Sequence, residues 1–335
     1  MKSPGSSPTI YNVAKLASVS IATVSRVINA PELVRDETRK KVLAAIDELG
    51  FVPDAFARER ARKEAGHIGV VTPFFTIPSI TKRLSGISNT LVDTPYNLTI
   101  FPVDSKQRLD AYYSELPYSR FVDGLIVLTL PIDESSLKRF IKNNIPILLI
   151  ENHINGYSSI EYDNQHGGQL AAELFLEKGH QFCAFIGNSL VPEYALNQEE
   201  NRLQGYKQTL QRHKIDLPDD YVKLPVLHSR DQDQQIHDLL DLDHPPTAIF
   251  TSTDELALRV LKVAQKWGIR IPEDLAVIGF DDIDIAAYLE LTTISQSLYE
   301  SGKLAAEHLI AQITDTDRPV ENIFIQLRLI ERSTT

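Results

Sequence analysis

The stretch VAKLASVSIATVSRVIN, residues 13–29, predicts two short helices separated by a break of three residues. Val24, Val27 and Ile28 share one face of the second helix, at the spacing of an amphipathic helix. Ser20 directly precedes that helix and suits an N-cap. The opposite face carries small, hydroxyl and arginine side chains instead of the Glu and Lys of an ordinary surface helix. Two tightly joined helices of this kind predict a helix-turn-helix.

The flanking residues complete a small helical domain. Thr9 suits the N-cap of the first helix, and a third helix is predicted from about Asp36 to Leu49 by its apolar spacing. Gly50 suits the C-cap of the third helix, and Pro53 stops its continuation. The sequence therefore predicts an all-α head over residues 1–53.

The outward residues of the second helix suit contact with a DNA duplex. Hydroxyl and amide groups reach phosphate oxygens, arginine binds the O6/N7 edge of guanine, and apolar side chains contact thymine methyl groups. Acidic side chains there would repel phosphates. The alternative at this point is a helical hairpin whose Ser and Thr residues serve only as caps. The residues predicted to contact DNA are Thr9, Ser20, Ile21, Ala22, Thr23, Ser25, Arg26 and Asn29.

The formal charge of −11 over 335 residues is unevenly distributed. Residues 1–65 contain 11 Lys and Arg against 8 Asp and Glu, whereas the remainder contains 23 against 37. A small basic segment joined to a large acidic remainder is expected when only the segment meets a polyanion.

Targeting and redox signals are sparse. The N-terminal MKSPGSSPTI is polar and lacks the apolar run of a signal peptide, and no stretch approaches the length of a membrane span. The single cysteine, Cys183, excludes an intrachain disulfide and lies in an apolar run typical of a core. These features predict a soluble cytoplasmic protein with no membrane segment.

From about Gly66 the pattern changes to apolar runs that alternate with helical stretches. The runs are HIGVV, NLTIFPV, DGLIVL, IPILLI, QFCAFIG, TAIFTS and LAVIGF. This alternation predicts an α/β body with parallel sheets. No glycine-rich phosphate loop follows a strand, and no nucleophile elbow, catalytic carboxylate pair or metal-ligand motif occurs. We therefore expect no catalytic residues, no metal and no cofactor, and hence no enzyme.

Candidate ligand-binding residues follow the predicted strands, because ligands of open α/β sheets bind beyond the carboxyl ends of strands. Three of the candidates directly follow predicted strands: Glu151, Thr253 and Asp281. Arg202 lies at the start of a helix that follows another predicted strand, and the loop PFFTIPS, residues 73–79, follows the strand HIGVV. Carboxylates and a guanidinium suit vicinal hydroxyls because together they supply acceptors and donors. The alternatives are that Asp281 caps the next helix and that Arg202 forms a surface ion pair with neighbouring glutamates.

The chain resembles the LacI/GalR (lac/gal repressor) family of bacterial transcriptional regulators. In the head the resemblance lies in TIYNVAKLASVSIATVSRVIN and ETRKKVLAAIDELGFVPDAFAR. In the body it lies in YDNQHGGQLAAELFLEKGHQFCAFIG, NRLQGY, PTAIFTSTDELALRVLKVAQKWGIRIPEDLAVIGFDDI and LTTISQS. It implies that Ile21, Ala22 and Arg26 read operator bases. Their identity implies an operator different from that of the lac repressor.

The resemblance also implies a body of two doubly wound subdomains, similar to periplasmic sugar-binding proteins. The N-subdomain is expected at about 66–160 plus 292–322, and the C-subdomain at about 161–291 plus 323–335. Residues 54–65 are expected to form a hinge between head and body. In the family a leucine of this hinge wedges into the minor groove, but here Arg60 occupies that position. An arginine does not unstack a base step as an apolar wedge does, so the sequence does not predict the kink, and we expect Arg58 and Arg60 to contact DNA from a basic linker. The alternative is a linker whose charges are only solvated.

The implied effector is a small molecule in the cleft between the subdomains. Positions matching Glu151, Arg202 and Asp281 contact sugar in the family, and Phe75 and Ser79 lie in the matching loop. Thr253 stands where the family often has Asn. The implied regulator is a homodimer that represses carbohydrate-utilisation genes from a pseudopalindromic double-stranded operator. The alternatives are a regulator answering to a purine or a phosphocarrier protein, and an α/β ligand-binding protein with an incidental head.

Overall fold

The computed structural model describes residues 8–29, 33–51, 66–119, 121–188, 192–225 and 231–335. The chain divides into two compact units, residues 1–65 and 66–335. The expected hinge, residues 54–65, lies outside the described residues.

Within residues 8–29 and 33–51 the head forms three helices, α1 (Ile10–Leu16), α2 (Ile21–Asn29) and α3 (Asp36–Leu49). Their apolar faces form one small core, which includes Val13, Val24 and Val42. The turn between α1 and α2 contains Ser18 in the left-handed region, with φ of 55°. Gly50 ends α3 with φ of 60°, as predicted for a C-cap glycine. The three predicted helices are thus confirmed.

The first lobe of the body is a six-stranded parallel sheet in the order β11-β5-β4-β3-β1-β2. Its strands are β1 (His67–Pro73), β2 (Asn97–Val103), β3 (Gly124–Leu128), β4 (Ile147–Ile150), β5 (Ser158–Glu161) and β11 (Asn322–Phe324). Its helices are α4 (Pro78–Leu91), α5 (Lys106–Ser119), α6 (Glu134–Lys142) and α12 (Leu298–Thr314). Apolar clusters lie on both faces of the sheet.

The second lobe is a sheet in the order β12-β10-β9-β8-β6-β7, in which only β12 runs antiparallel among the paired strands. Its strands are β6 (Cys183–Ile186), β7 (Val222–Lys223), β8 (Ala248–Thr251), β9 (Ala276–Asp281), β10 (Thr292–Ser295) and β12 (Arg328–Ile330). Its helices are α7 (Asn164–Glu177), α8 (Glu199–Arg212), α9 (Asp231–Leu240), α10 (Asp254–Trp267) and α11 (Asp284–Tyr288). Within the described ranges, no helix is long and apolar enough to cross a membrane.

All seven predicted strand runs form strands, and the two α/β sheets match the predicted fold class. The chain passes between lobes after β5, after β10 and after β11. The predicted subdomain boundaries at 292 and 323 are therefore displaced. Residues 292–295 pair with β9 in the second lobe, and residues 322–324 pair with β5 in the first. These strands are short, and their sheet is chosen by the edge available to them and not by their own sequence.

In each lobe two helices cross closely at a pair of glycines. In the first lobe, a Cβ on Gly86 of α4 would overlap the Tyr299 carbonyl of α12, and a Cβ on Gly302 would overlap the Arg83 carbonyl. In the second lobe, Gly168 of α7 and Gly205 of α8 meet in the same way. Because backbone touches backbone, the position of one helix determines the position of its neighbour.

Candidate functional site

The exposed face of α2 forms the candidate nucleic-acid interface. Ile21, Ala22 and Arg26 are exposed, whereas Thr23 and Ser25 are partly buried. The spacing of Ala22 and Arg26 places them on one side of the helix, away from buried Val24 and Val27. No acidic residue occupies the first turn of this helix. The face is therefore free of the charges that would repel phosphate.

The hydroxyl residues at the helix starts act as caps. The amide of Thr23 donates to the Ser20 hydroxyl at 3.1 Å, and the two hydroxyl groups lie 2.9 Å apart. Thr9 donates through its amide and its hydroxyl to Asn12 Oδ1, at 2.8 and 2.5 Å. Capping is compatible with phosphate contact, because Thr9 and Ser20 remain exposed. The Asn29 side chain, Arg58 and Arg60 lie outside the described residues.

The body contains a polar cleft at the carboxyl ends of strands from both lobes. It encloses about 160 Å³, a small volume for a ligand pocket. Five predicted effector-binding residues line it: Ser79, Glu151, Arg202, Thr253 and Asp281. Phe75 is 43% exposed and is not among the lining residues. Its neighbour Phe74 lines the cleft instead, with φ of 45°, because the turn after β1 faces that ring inward.

On the first-lobe side, Arg83 of α4 lies at the base of the cleft and is only 2% exposed. Its Nη2 donates to Glu151 Oε1 at 2.5 Å and to Gln296 Oε1 at 2.9 Å. Burial alone would lower the pKa of Arg83, but the carboxylate of Glu151 raises it above its usual value. This guanidinium is therefore a permanent cation.

On the second-lobe side, Asp281 ends β9 and has φ of 121°. Gln296 Nε2 donates to Asp281 Oδ1 at 2.5 Å. Burial raises the pKa of Asp281 to about 8, although nearby Arg202 acts in the opposite direction. A carboxyl group with this pKa is mostly protonated at neutral pH and can donate as well as accept a hydrogen bond. Asp281 does not cap α11, whose N-cap is Ile283.

Arg202 is 5% exposed and does not form the surface ion pair considered as an alternative. Its Nε donates to Asn164 Oδ1 at 2.9 Å, and its Nη1 donates to the Ser252 carbonyl at 2.6 Å. Its guanidinium carbon lies 3.7 Å from the centre of the Phe280 ring. Thr253 lines the cleft beside it, and its hydroxyl caps α10 by accepting from the Leu256 amide.

A cluster of amide groups and one carboxylate forms a further part of the cleft wall. Glu199 accepts from the Asn188 amide at 2.7 Å and from the Ser252 hydroxyl at 2.5 Å. Gln232 Nε2 donates to Asn188 Oδ1 at 3.2 Å. Asn188 and Gln232 are nearly fully buried and line the cleft. Residual acceptors and N–H groups of such amides suit hydroxyl groups of a ligand.

The segment that precedes α8 in the second lobe, residues 192–198, reaches the first lobe beside the cleft. Gln198 Nε2 donates to the Glu151 carbonyl at 2.9 Å, and the Leu196 amide donates to the Thr129 carbonyl at 3.0 Å. The ring of Tyr194 packs against the first-lobe core, 6.5 Å from Phe74. The lobes are thus in contact on the cleft side.

Sequence reasoning missed several of these residues. Arg83 was detectable in principle, because it interrupts the apolar stripe of Ile80, Leu84 and Ile87 on α4. Gln296 follows β10 and could have been found by the strand-end rule. Asn188 lies two residues beyond β6 and could have been found by the same rule. Glu199 and Gln232 carried no local signal, since amides and glutamates are common at helix starts.

The arrangement favours binding over chemical conversion. Carboxylates, guanidinium groups and amides converge on one small volume, but they are tied to one another by hydrogen bonds. Among the described residues, no group of three or more His, Cys, Asp or Glu could hold a metal ion. A neutral ligand rich in hydroxyl groups satisfies such a set of donors and acceptors.

A helix-turn-helix unit joined to a two-lobed body with a polar cleft defines a class of proteins, the ligand-responsive transcriptional regulators. A family model for bacterial regulatory proteins of the lacI family matches residues 9–54, and one for a periplasmic binding protein-like domain matches residues 172–335. The chain is 32% identical to catabolite control protein A of Priestia megaterium, over 89% of this chain and 90% of that protein. It is 31% identical to the ribose operon repressor of Escherichia coli K12, over 97% of this chain and 98% of that protein.

Among solved structures, the chain matches the lac repressor dimer bound to operator and the anti-inducer ONPF. The TM-score is 0.75 at 26% identity, over 98% of this chain and 99% of that chain. The chain therefore belongs to the lacI family of bacterial regulatory proteins and is a DNA-binding transcriptional regulator.

Proposed function

We propose that this chain represses carbohydrate-utilisation genes and that a sugar in the body cleft controls its affinity for DNA. The observation that carries the proposal is the convergence of Arg202, Asp281 and Glu151 on one buried cleft between two lobes. A guanidinium and two carboxyl groups match the alternating donors and acceptors of vicinal hydroxyls. Phe74 and Ser79 complete the first-lobe wall.

The head binds an operator through α2, with Ile21, Ala22 and Arg26 facing base edges and Ser20 and Thr23 facing phosphates. One helix of this length reads only a short half-site. A homodimer places two such helices about 34–36 Å apart on a pseudopalindrome. Thr9, Ser25 and Asn29 add backbone contacts, and Arg58 and Arg60 extend the basic surface.

The body acts by binding and not by catalysis. Effector binding changes the angle between the lobes, and the change alters how the paired heads engage DNA. Such coupling requires different effector affinities in the two states, and it is typically worth about 1–3 kcal/mol. The relatives named as ribose operon repressor and catabolite control protein support regulation of sugar metabolism.

Two measurements on the full chain test the proposal. In-vitro selection of bound DNA sequences should return a pseudopalindrome, with binding that weakens steeply as salt is raised. A thermal-shift screen should show that a sugar raises the melting temperature, since ligands of the native state stabilise it. The screen includes pentoses, hexoses, uronates and disaccharides, with nucleobases and a phosphocarrier protein as alternatives. A response to nucleobases alone would replace the sugar by a purine, and the absence of any sequence preference would overturn the proposal.

A further inference from the structure

Arg83 on α4 is a buried cation that the packing of the first lobe does not explain. Arg83 takes the place of an apolar residue between Ile80 and Leu84, and its side chain is 3% exposed. A buried ion pair is on average no more stabilising than apolar side chains of similar volume. The presence of an arginine at this position therefore calls for a role other than stability.

The contacts of Arg83 join three separate segments of the chain. Its Nη2 binds Glu151, at the end of β4, and Gln296, where the chain leaves β10 for the first lobe. Its guanidinium carbon lies 5.5 Å from the ring centre of Tyr162, where the chain leaves β5 for the second lobe. Two of the three passages between the lobes thus meet at this one side chain.

The donors and acceptors in these contacts can be assigned in only one way. A guanidinium can donate and cannot accept, so Gln296 must present its oxygen to Arg83. The same amide must then present its N–H₂ to Asp281, which accepts through Oδ1 at 2.5 Å. One oxygen of Asp281 is thereby engaged, and Oδ2 is left for a ligand in the cleft. An apolar residue at position 83 would leave the amide free to turn.

We propose that Arg83 is a positioning residue, which fixes the Gln296 amide and through it Asp281, and thereby sets the angle between the two lobes. The inference rests on the proposed function only in assigning Asp281 to the effector. Arg83 itself acts through Gln296, and its guanidinium is neutralised by Glu151. The glycine crossing of Gly86 and Gly302 holds α4 firmly against α12, so Arg83 cannot follow a displaced Gln296.

The test compares variants that separate positioning from stability. Gln296→Glu keeps an acceptor for Arg83 but removes the N–H donor to Asp281, and measurement at about pH 9 keeps Asp281 ionised so that its carboxyl group cannot donate in return. Gln296→Met removes both hydrogen bonds without adding a charge, and Arg83→Lys keeps the cation without its planar fork. Arg270→Lys is the matched control, because Arg270 forms a two-pronged pair with Asp274 on an exposed surface.

The first readout is the distance between the lobes, which needs neither DNA nor effector. Spin labels at V92C and K262C, both exposed, report it in the full chain by pulsed electron paramagnetic resonance. The labelled chain is mixed with an excess of the same chain without labels, so that only distances within one protomer are measured. We expect one narrow distance distribution in the parent and in Arg270→Lys, and a shifted or broadened one in Gln296→Glu and Gln296→Met. A merely structural role predicts that Gln296→Glu, which retains the Arg83 contact, matches the parent. That result would overturn the proposal.

The second readout uses the sugar with the largest thermal shift in the screen. We expect its dissociation constant to rise by about tenfold in Gln296→Glu, the effect of losing one hydrogen bond to an ionisable group. An unchanged dissociation constant in both Gln296 variants would also overturn the proposal. If no sugar binds, the proposed function fails, while the lobe distances still decide the role of Arg83.

Discussion

The guanidinium of Arg202 lies over the ring of Phe280, with 3.7 Å between the guanidinium carbon and the ring centre. Phe280 belongs to β9 and directly precedes Asp281, so the ring holds the arginine beside the carboxyl group. Asn164 and the Ser252 carbonyl hold two of its nitrogens. The arginine is therefore oriented before any ligand arrives, which lowers the entropy lost on binding.

Substitution of this arginine should abolish the effector response while leaving DNA binding intact. Arg202→Ala removes a donor from the cleft and leaves Asn164 and Ser252 without their partner, which costs about 1–3 kcal/mol of stability. Calorimetric titration with the effector and fluorescence anisotropy with operator DNA measure the two properties. Arg212→Ala, on the same helix and close to the surface, is the control. A normal effector response in Arg202→Ala would remove this residue from the site.

On the head, Arg26→Ala should weaken operator binding by about 1–3 kcal/mol and relax base preference at one position of each half-site. The reason is that an exposed arginine on α2 can bind a guanine edge with two hydrogen bonds. Anisotropy titrations against the selected operator and its single-base variants measure both effects. Lys41→Ala on α3, which removes a surface pair with Glu37, should leave binding near the parental value. If Arg26→Ala and the parent bound the operator with equal affinity, Arg26 would not contact the operator bases.

The buried carboxyl group of Asp281 predicts a pH dependence of stability. Burial raises its pKa to about 8 in the folded chain, against about 3.9 in the unfolded chain. Between these values the folded state holds a proton that the unfolded state has lost, so this residue's contribution to stability falls as pH rises. The contribution is fully present below about pH 4 and is lost by about pH 8.

Urea unfolding of Asp281→Asn at several pH values tests this dependence. The variant should gain stability relative to the parent as pH rises from 5 to about 8, and the gain should then level off. Asp254, whose pKa burial raises to about 6, supplies the comparison. The gain of Asp254→Asn should level off near pH 6. If the free energies of unfolding of the parent and of Asp281→Asn changed with pH in parallel, the raised pKa of Asp281 would be contradicted.

The glycine crossing in the first lobe predicts a large effect from a small substitution. In Gly302→Ala the added methyl group would overlap the Arg83 carbonyl, and backbone atoms cannot yield as a flexible side chain does. We expect a loss of about 1–3 kcal/mol, together with a shift of α4 that moves Arg83. Urea unfolding measures the loss, and Lys303→Ala on the same helix is the control. Unchanged stability in Gly302→Ala would mean that the two helices separate at little cost.

Local patterns predicted much of the fold. The prediction of the head rested on caps, apolar spacing and a C-terminal glycine within about 45 residues. All three helices form where these signals lie. The seven apolar runs became strands because doubly covered strands must be continuously apolar. The strand-end rule predicted Thr253 and Asp281 at one edge of the second-lobe sheet and Glu151 at the corresponding edge of the first-lobe sheet, since the carboxyl ends of parallel strands share an edge. Both edges line the same cleft.

Tertiary structure alone decided the remainder. The lobe to which β10 and β11 belong depends on a free sheet edge, which three or four residues of sequence do not specify. Phe74 and not Phe75 lines the cleft, and Phe74 itself adopts a left-handed conformation that residue type does not predict. The link between Arg83 and Gln296 joins positions 213 residues apart, and only chain folding brings such positions together. Periodicity and capping act within a few turns of chain, whereas the contacts that orient the cleft act between segments, and so they appear only in the folded molecule.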